Sequence, residues 1–369
     1  MTSNAGHGSA PGRSAPVGWR ETCFEAIVGW SEDDHSAALG PFLSSIDQLD
    51  HLPPALVSAA RAIATTGSPA EARSFFETWF APFVRQGSED GPHPDSLATG
   101  FFEPVIDAAR APSAAFPVPL HSRPPDLVAL TEDRFRGAAG DQLTYGRQTD
   151  QGVVPYATRA EIEAGAIDHF DLAFAYLASP VARFILQVQG SGVLRYAEDN
   201  AQQRVTYEAK NGLPYTSVGR VLIEEGILPE KGLTLARLEA WLDDNPERAA
   251  EIMQRNASYV FFKPVERDIG AALGAAGAPL VPMRSIAVDA GVHALGLPVF
   301  VTIPDLKRDA ERGQPFRKLT VAHDVGSAIR GEERCDLYFG TGDVAGAEAG
   351  ALKAPVQLVV LHPRATAVA

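Results

Sequence analysis

Through the first hundred residues apolar side chains recur at helical spacing. Leu39, Phe42, Leu43, Ile46 and Leu49 step by three and four, which lays one apolar stripe along a helix. A second helix is predicted after Pro53–Pro54. A third has a full start signal: Ser68 as cap, Pro69 at the first helical position and Glu71 closing a capping box. Its apolar face uses Phe75, Phe76 and Trp79, and Pro82 is expected to end it. From about Thr99 the period shortens. Segments 184–189, 193–196 and 258–263 are short, rich in aromatic and β-branched residues, and bounded by Gly or Asn, as strands are. Helices interrupt them: Thr158 with Glu161 repeats the capping-box pattern, 216–225 stops at Gly226, and 235–243 and 246–255 follow, the latter opened by Asn245–Pro246. Strands return over 284–288, 298–303, 318–323, 335–339 and 356–361, with Gly-containing turns between several, the pattern of a closed barrel of short strands.

Composition narrows the class. The 369 residues are 45% hydrophobic and 21% charged, which suits a globular chain of about two domains. Gly (33) and Pro (28) are spread along the chain, so they mark many turns rather than one unstructured tail. The net charge of −14 opposes phosphate binding and excludes nucleic acid as the expected partner. Cys23 and Cys335 sit at opposite ends and read as independent buried thiols; no metal-ligand spacing occurs and no cofactor is expected. No run of 18 apolar residues occurs, so no transmembrane segment is expected. Residues 1–18, rich in Gly, Ser, Pro and Ala without an apolar core, read as a disordered leader.

Polar groups embedded in apolar strands are the candidates for chemistry, because such groups must be paired or working. Asp336 lies among Cys335, Leu337, Tyr338 and Phe339. A carboxyl in such surroundings loses solvation and tends to stay protonated, as a general acid requires. The alternative is an Asp336 that accepts turn hydrogen bonds or pairs with Arg330 or Arg334. Asp324 follows a second apolar-leaning run, 319–323. Gln189, Ser191, Thr99 and Tyr215 suit the many neutral hydrogen bonds of a sugar polymer, and Phe101 or Phe102 its apolar ring faces, or else these polar groups satisfy one another inside a barrel. Glu103 is either a second glycosidase carboxylate or a solvated strand end. His323 with Cys335 makes a weak nucleophilic pair, since no helix start follows Cys335 to lower its pKa. The glycines of 340–350 have neither dinucleotide nor phosphate-loop spacing.

These residues resemble a known family in series. Leu280–Val281–Pro282–Met283–Arg284–Ser285–Ile286–Ala287–Val288–Asp289 looks like the opening of the three-aspartate (3D) domain of MltA-type lytic transglycosylases. Ala322–His323–Asp324–Val325–Gly326 and Asp336–Leu337–Tyr338–Phe339–Gly340 resemble its continuation, so the three aspartates are Asp289, Asp324 and Asp336. Upstream, Thr99–Gly100–Phe101–Phe102–Glu103–Pro104 resembles the family's T-G-Y-Y-x-P signature with Phe at both tyrosines. Gln187–Val188–Gln189–Gly190–Ser191–Gly192, Pro214–Tyr215–Thr216–Ser217 and Ser258–Tyr259–Val260–Phe261–Phe262 are similar to further family motifs, in order. The likeness runs from about residue 90 to 360. Glu332–Glu333 makes the segment between Asp324 and Asp336 more acidic than the family's pattern.

The resemblance implies a mainly β fold with flanking helices. A double-psi β-barrel domain would be built from 19–104 and 256–369, a second β-rich domain inserted over 105–255, and a glycan groove would lie between them. It implies cleavage of the MurNAc–GlcNAc bond of peptidoglycan to a 1,6-anhydro end, with peptidoglycan glycan strands as partner, no cofactor, and the periplasm as location. Asp336 would be the acid and then the base, Asp324 a supporting neighbour, and Thr99, Phe101, Phe102, Gln189, Ser191, Tyr215, Ser285 and Asp289 substrate-binding residues. A two-carboxylate glycoside hydrolase, with Glu103 or Asp324 as the second acid, and a non-catalytic wall-glycan-binding protein are the rival readings.

Overall fold

A computed structural model of the chain describes residues 18–49, 52–130, 143–266, 270–306 and 314–364. The leader expected over 1–18 lies outside them, apart from Gly18. Among the described residues the strands are β1 (Trp19–Glu21), β2 (Phe80–Arg85), β3 (Leu97–Glu103), β4 (Val105–Ala109), β5 (Val118–His121) and β6 (Leu127–Ala129). Next come β7 (Tyr145–Thr149), β8 (Gly152–Val154), β9 (Ala173–Leu177), β10 (Ser191–Tyr196), β11 (Gln202–Lys210) and β12 (Val260–Pro264). The last six are β13 (Ser285–Val288), β14 (Pro298–Ile303), β15 (Phe316–Val325), β16 (Arg334–Thr341), β17 (Lys353–Ala354) and β18 (Gln357–Pro363). The helices are α1 (Ser36–Ser45), α2 (Pro54–Thr66), α3 (Pro69–Trp79), α4 (Arg159–Glu163), α5 (Pro180–Gln189), α6 (Val218–Glu224), α7 (Leu235–Asp244), α8 (Pro246–Gln254) and α9 (Asp343–Ala351).

Two compact units result: Met1–Thr99 with Gly274–Leu337 and Lys353–Ala369, and Gly100–Leu273 with Tyr338–Leu352. The second is larger than the insertion expected over 105–255. β12 is paired antiparallel to β11, from Val205↔Pro264 to Lys210↔Val260, which draws the chain beyond residue 255 into this unit. Helix α9 joins it too, packing on α7.

In the first unit a nine-stranded sheet has the order β1-β2-β18-β14-β15-β13-β16-β3-β17. This order has two free edges, so the ring closure of a double-psi barrel is not among the described pairings; the mainly β fold with flanking helices is as expected. Helices α1, α2 and α3 bury Leu39, Phe42, Leu56, Phe75 and Phe76 against Phe80, Phe300, Leu319 and Leu361. Both halves of the α3 start signal form: the Ser68 hydroxyl accepts the Glu71 N–H, and the Glu71 carboxylate accepts the Ser68 N–H at 2.7 Å. The helix ends at Trp79, and Pro82 falls inside β2 instead of acting as the stop.

In the second unit a six-stranded sheet runs β12-β11-β10-β4-β9-β5, beside a three-stranded β6-β7-β8. The strand expected over 184–189 is the C-terminal part of helix α5. Ser179 accepts the Ala182 N–H, Pro180 opens the helix, and Gly190 at φ 82° closes it. Its apolar residues Val181, Phe184 and Ile185 pack on Val221, Leu222, Leu242 and Ile252 of the neighbouring helices. Cys23 is exposed and Cys335 buried, and they are not bonded to each other, so only Cys335 is the buried thiol expected.

Candidate active site

The 3D-type segment brings its aspartates together through strand order. β13 runs between β15, to which it is parallel, and β16, to which it is antiparallel, and Ala287 pairs with Asp324 on one side and Asp336 on the other. The two aspartates therefore flank one residue, two strand spacings or about 10 Å apart along the sheet. Asp289 lies just beyond β13.

Asp336 does not have the apolar setting expected of it. The Thr99 hydroxyl and the Arg334 guanidinium both donate to its Oδ1. Arg334 also reaches Thr99 Oγ1 at 2.8 Å and the Cys335 carbonyl at 2.6 Å. The Asp336 side chain is 19% exposed, so the group is accessible while being held from behind. The strand's two-residue period explains the pair: Arg334 and Asp336 share one face of β16.

Asp324 is the carboxyl whose surroundings favour a proton. Burial pushes its pKa up to about 6, against two backbone N–H bonds to Oδ1 from Val325 (2.9 Å) and Ala275 (3.0 Å), and the Asp336 charge adds to the rise. Those two bonds fasten the start of the segment near 275 to the end of β15. Asp289 clamps the turn that leads into β16. Although burial opposes it, bonds from Gly331 N–H (2.9 Å), Gly291 N–H (3.0 Å) and Arg330 (3.2 Å) hold its carboxyl below the ordinary value and tie down the turn leading into β16. Ser285 is sealed in the core. Its hydroxyl accepts the Val281 N–H at 2.8 Å and donates to His323 Nδ1 at 2.7 Å, while His323 Nε2 donates to the Pro41 carbonyl at 3.0 Å.

Within the second unit the signature residues take separate roles. Phe101 is half-buried with its ring 5.1 Å from that of Tyr338, whereas Phe102 is buried. The Gln189 carboxamide accepts the Phe102 N–H at 3.1 Å, which brings α5 to β3. Ser191 opens β10 and Tyr215 lies in the loop before α6, both half-buried. Gln187 is structural: it accepts from Arg159 at 2.6 Å and donates to the Val260 carbonyl at 3.0 Å. Glu103 is neither a solvated strand end nor a free acid. It is fully buried, with Arg204 donating to both carboxylate oxygens at 2.7 and 3.0 Å and the Thr341 hydroxyl donating at 2.9 Å.

Two family models match the chain. The MltA specific insert domain matches residues 97–263 and the 3D domain residues 284–362. The crystal structure of a membrane-bound lytic murein transglycosylase from Agrobacterium tumefaciens is 32% identical, with a TM-score of 0.80, over 94% of this chain and 97% of that one. The chain belongs to the MltA family. The structure of Escherichia coli MltA with bound chitohexaose is 26% identical, with a TM-score of 0.66, over 88% of this chain and 90% of that one. Membrane-bound lytic murein transglycosylase A of Vibrio cholerae is 33% identical over 259 residues, 70% of this chain. The chain spans about six-tenths of the length of that curated relative, 62%. Among the described residues no helix is long and apolar enough to cross a membrane.

The MltA-type core also carries a pH signature. Burial pushes the pKa of His323 and of His121, which lies 2.9 Å from the Tyr259 hydroxyl, down to about 4. Both folded values lie below the unfolded value near 6.5, so the unfolded chain binds more protons between them. The stability from these two groups is complete above pH 6.5 and is lost as pH falls towards 4, about 3 kcal/mol for each. Asp324, raised instead, contributes with the opposite sign: stability present below its unfolded value and lost as pH rises through about 6. The urea midpoint is expected to drop between pH 6.5 and 4, and to drop less in the double variant His121→Gln/His323→Gln. An unchanged slope in that variant would assign the acid sensitivity elsewhere.

Proposed function

We propose that this chain is a lytic transglycosylase that cleaves the MurNAc–GlcNAc linkage of peptidoglycan in the periplasm, with Asp336 as its reacting carboxyl. The observation that carries the reading is the cluster around β13: a partly exposed Asp336 positioned by Thr99 and Arg334, with a proton-favouring Asp324 across Ala287. In the reaction, Asp336 gives its proton to the bridging oxygen as the C1–O bond breaks. The 6-hydroxyl of the muramic residue then bonds to C1 and returns its proton to Asp336, so no water is consumed. Because the nucleophile belongs to the substrate, no second carboxylate has to attack C1. Arg334 remains hydrogen-bonded to the Cys335 carbonyl and Thr99 when Asp336 is neutral, so the protonated state leaves no buried donor stranded. The Oδ1 bonds of Asp324 to Ala275 and Val325 support its role in holding the loop beside this carboxyl.

Glu103, sealed in its pair with Arg204, offers a hydrolase no second acid. Mass spectrometry of digested peptidoglycan tests the reading. Anhydro-muropeptides, one water lighter than hydrolytic products, are expected. Hydrolytic masses would move the assignment to a glycoside hydrolase, and binding without soluble products to a wall-binding protein.

A further inference from the structure

Away from the aspartate cluster, the second unit holds a cavity of about 510 Å3, within the size range of small-molecule sites. Its wall is largely apolar, with Phe102 and Ile106 from β3 and β4, Ile185 from α5 and Leu235 from α7. The wall is not a loose gap between helices. A Cβ added at Gly346 would meet the Phe102 ring at 2.7 Å, and one at Gly350 would meet Leu235 Cβ at 2.8 Å, so α9 packs as closely as glycine allows.

Three carboxylates interrupt the apolar lining: Glu239 and Asp243, one turn apart on α7, and Asp343 at the start of α9. Among the described residues none of the three is hydrogen-bonded or ion-paired to a cation. Arg195, which senses Asp343, is itself held by Asp107 at 2.6 Å. Burial raises the pKa of Glu239, and the charges of Asp243 and Asp343 add to that rise. Neighbouring like charges at the mouth of an apolar chamber are complementary to a cation that brings its own hydrocarbon. A bare metal ion fits poorly, because the three carboxylates do not converge into a group able to hold one.

We propose that this cavity binds an organic ammonium ion on a short aliphatic chain, with the ammonium among Glu239, Asp243 and Asp343 and the chain against Phe102, Ile106, Ile185 and Leu235. The same chemistry is offered by a free alkylamine and by a lysine-type side chain of a peptide. Isothermal titration of the full chain near pH 7.5 with n-hexylamine, Nα-acetyl-lysine amide and 1-hexanol tests it. At least one of the two amines is expected to bind about tenfold or more tightly than the alcohol, and which one binds identifies the source. Glu239→Gln is expected to weaken that binding about tenfold while leaving glycan cleavage intact. Should that variant fail to fold, Ala236→Trp, which fills the mouth from an exposed position of α7, is expected to abolish binding. Equal affinity for amine and alcohol, no binding of either amine, or undiminished binding in the variant would overturn the proposal. None of these outcomes bears on the anhydro-product assay.

Discussion

Asp336→Asn is expected to reduce release of anhydro-muropeptides by about 10³-fold or more with little change in Tm, because one carboxyl serves as acid and then as base and each role is worth about 10²–10⁴. Asparagine keeps an oxygen acceptor for the Thr99 hydroxyl, and Arg334 retains the Cys335 carbonyl, so the surroundings of β16 stay paired. Asp324→Asn is the comparison. Its amide oxygen still accepts the Ala275 and Val325 N–H groups, so the loop is held, and the loss should be nearer tenfold. If Asp324→Asn proves the more damaging variant, with Asp336→Asn active, the two assignments exchange.

Much of this was legible where the signal is local. The capping boxes Ser68–Glu71 and Thr158–Glu161 each span four residues, and both form. Segment 184–189 misled because a short apolar run has no decisive period. The deciding cues lay at its ends, Ser179–Pro180 before it and Gly190 after it. At the site, the motif series identified the three aspartates, but spacing along the chain cannot show that β13 separates β15 from β16. That order places Asp324 and Asp336 on either side of Ala287. The Arg334–Asp336 pair is legible in the strand's two-residue period, which sets both side chains on one face. The local motif does not show the partners of Ser285 and Asp289, because His323 and Gly331 lie some forty residues away. The same distance along the chain hides the partner of Glu103, because Arg204 is 101 positions away.

That last pair carries the second large effect. Arg204→Met removes a bidentate partner from a carboxylate with no exposure to water, leaving, among the described residues, the Thr341 hydroxyl as its side-chain donor. Breaking a buried ion pair from one side costs about 3–5 kcal/mol, so a clear fall in the urea midpoint is expected. Removing both charges in Glu103→Gln/Arg204→Met should recover most of it, since the cost lies in the stranded charge more than in the lost attraction. The double variant also separates the two enzymatic readings. If Glu103 is only a structural member of β3, the refolded double variant cleaves glycan near the wild-type rate and still yields anhydro ends. A well-folded double variant without activity would instead make Glu103 part of the chemistry, and the single-carboxyl mechanism would fail with Asp336 still in place.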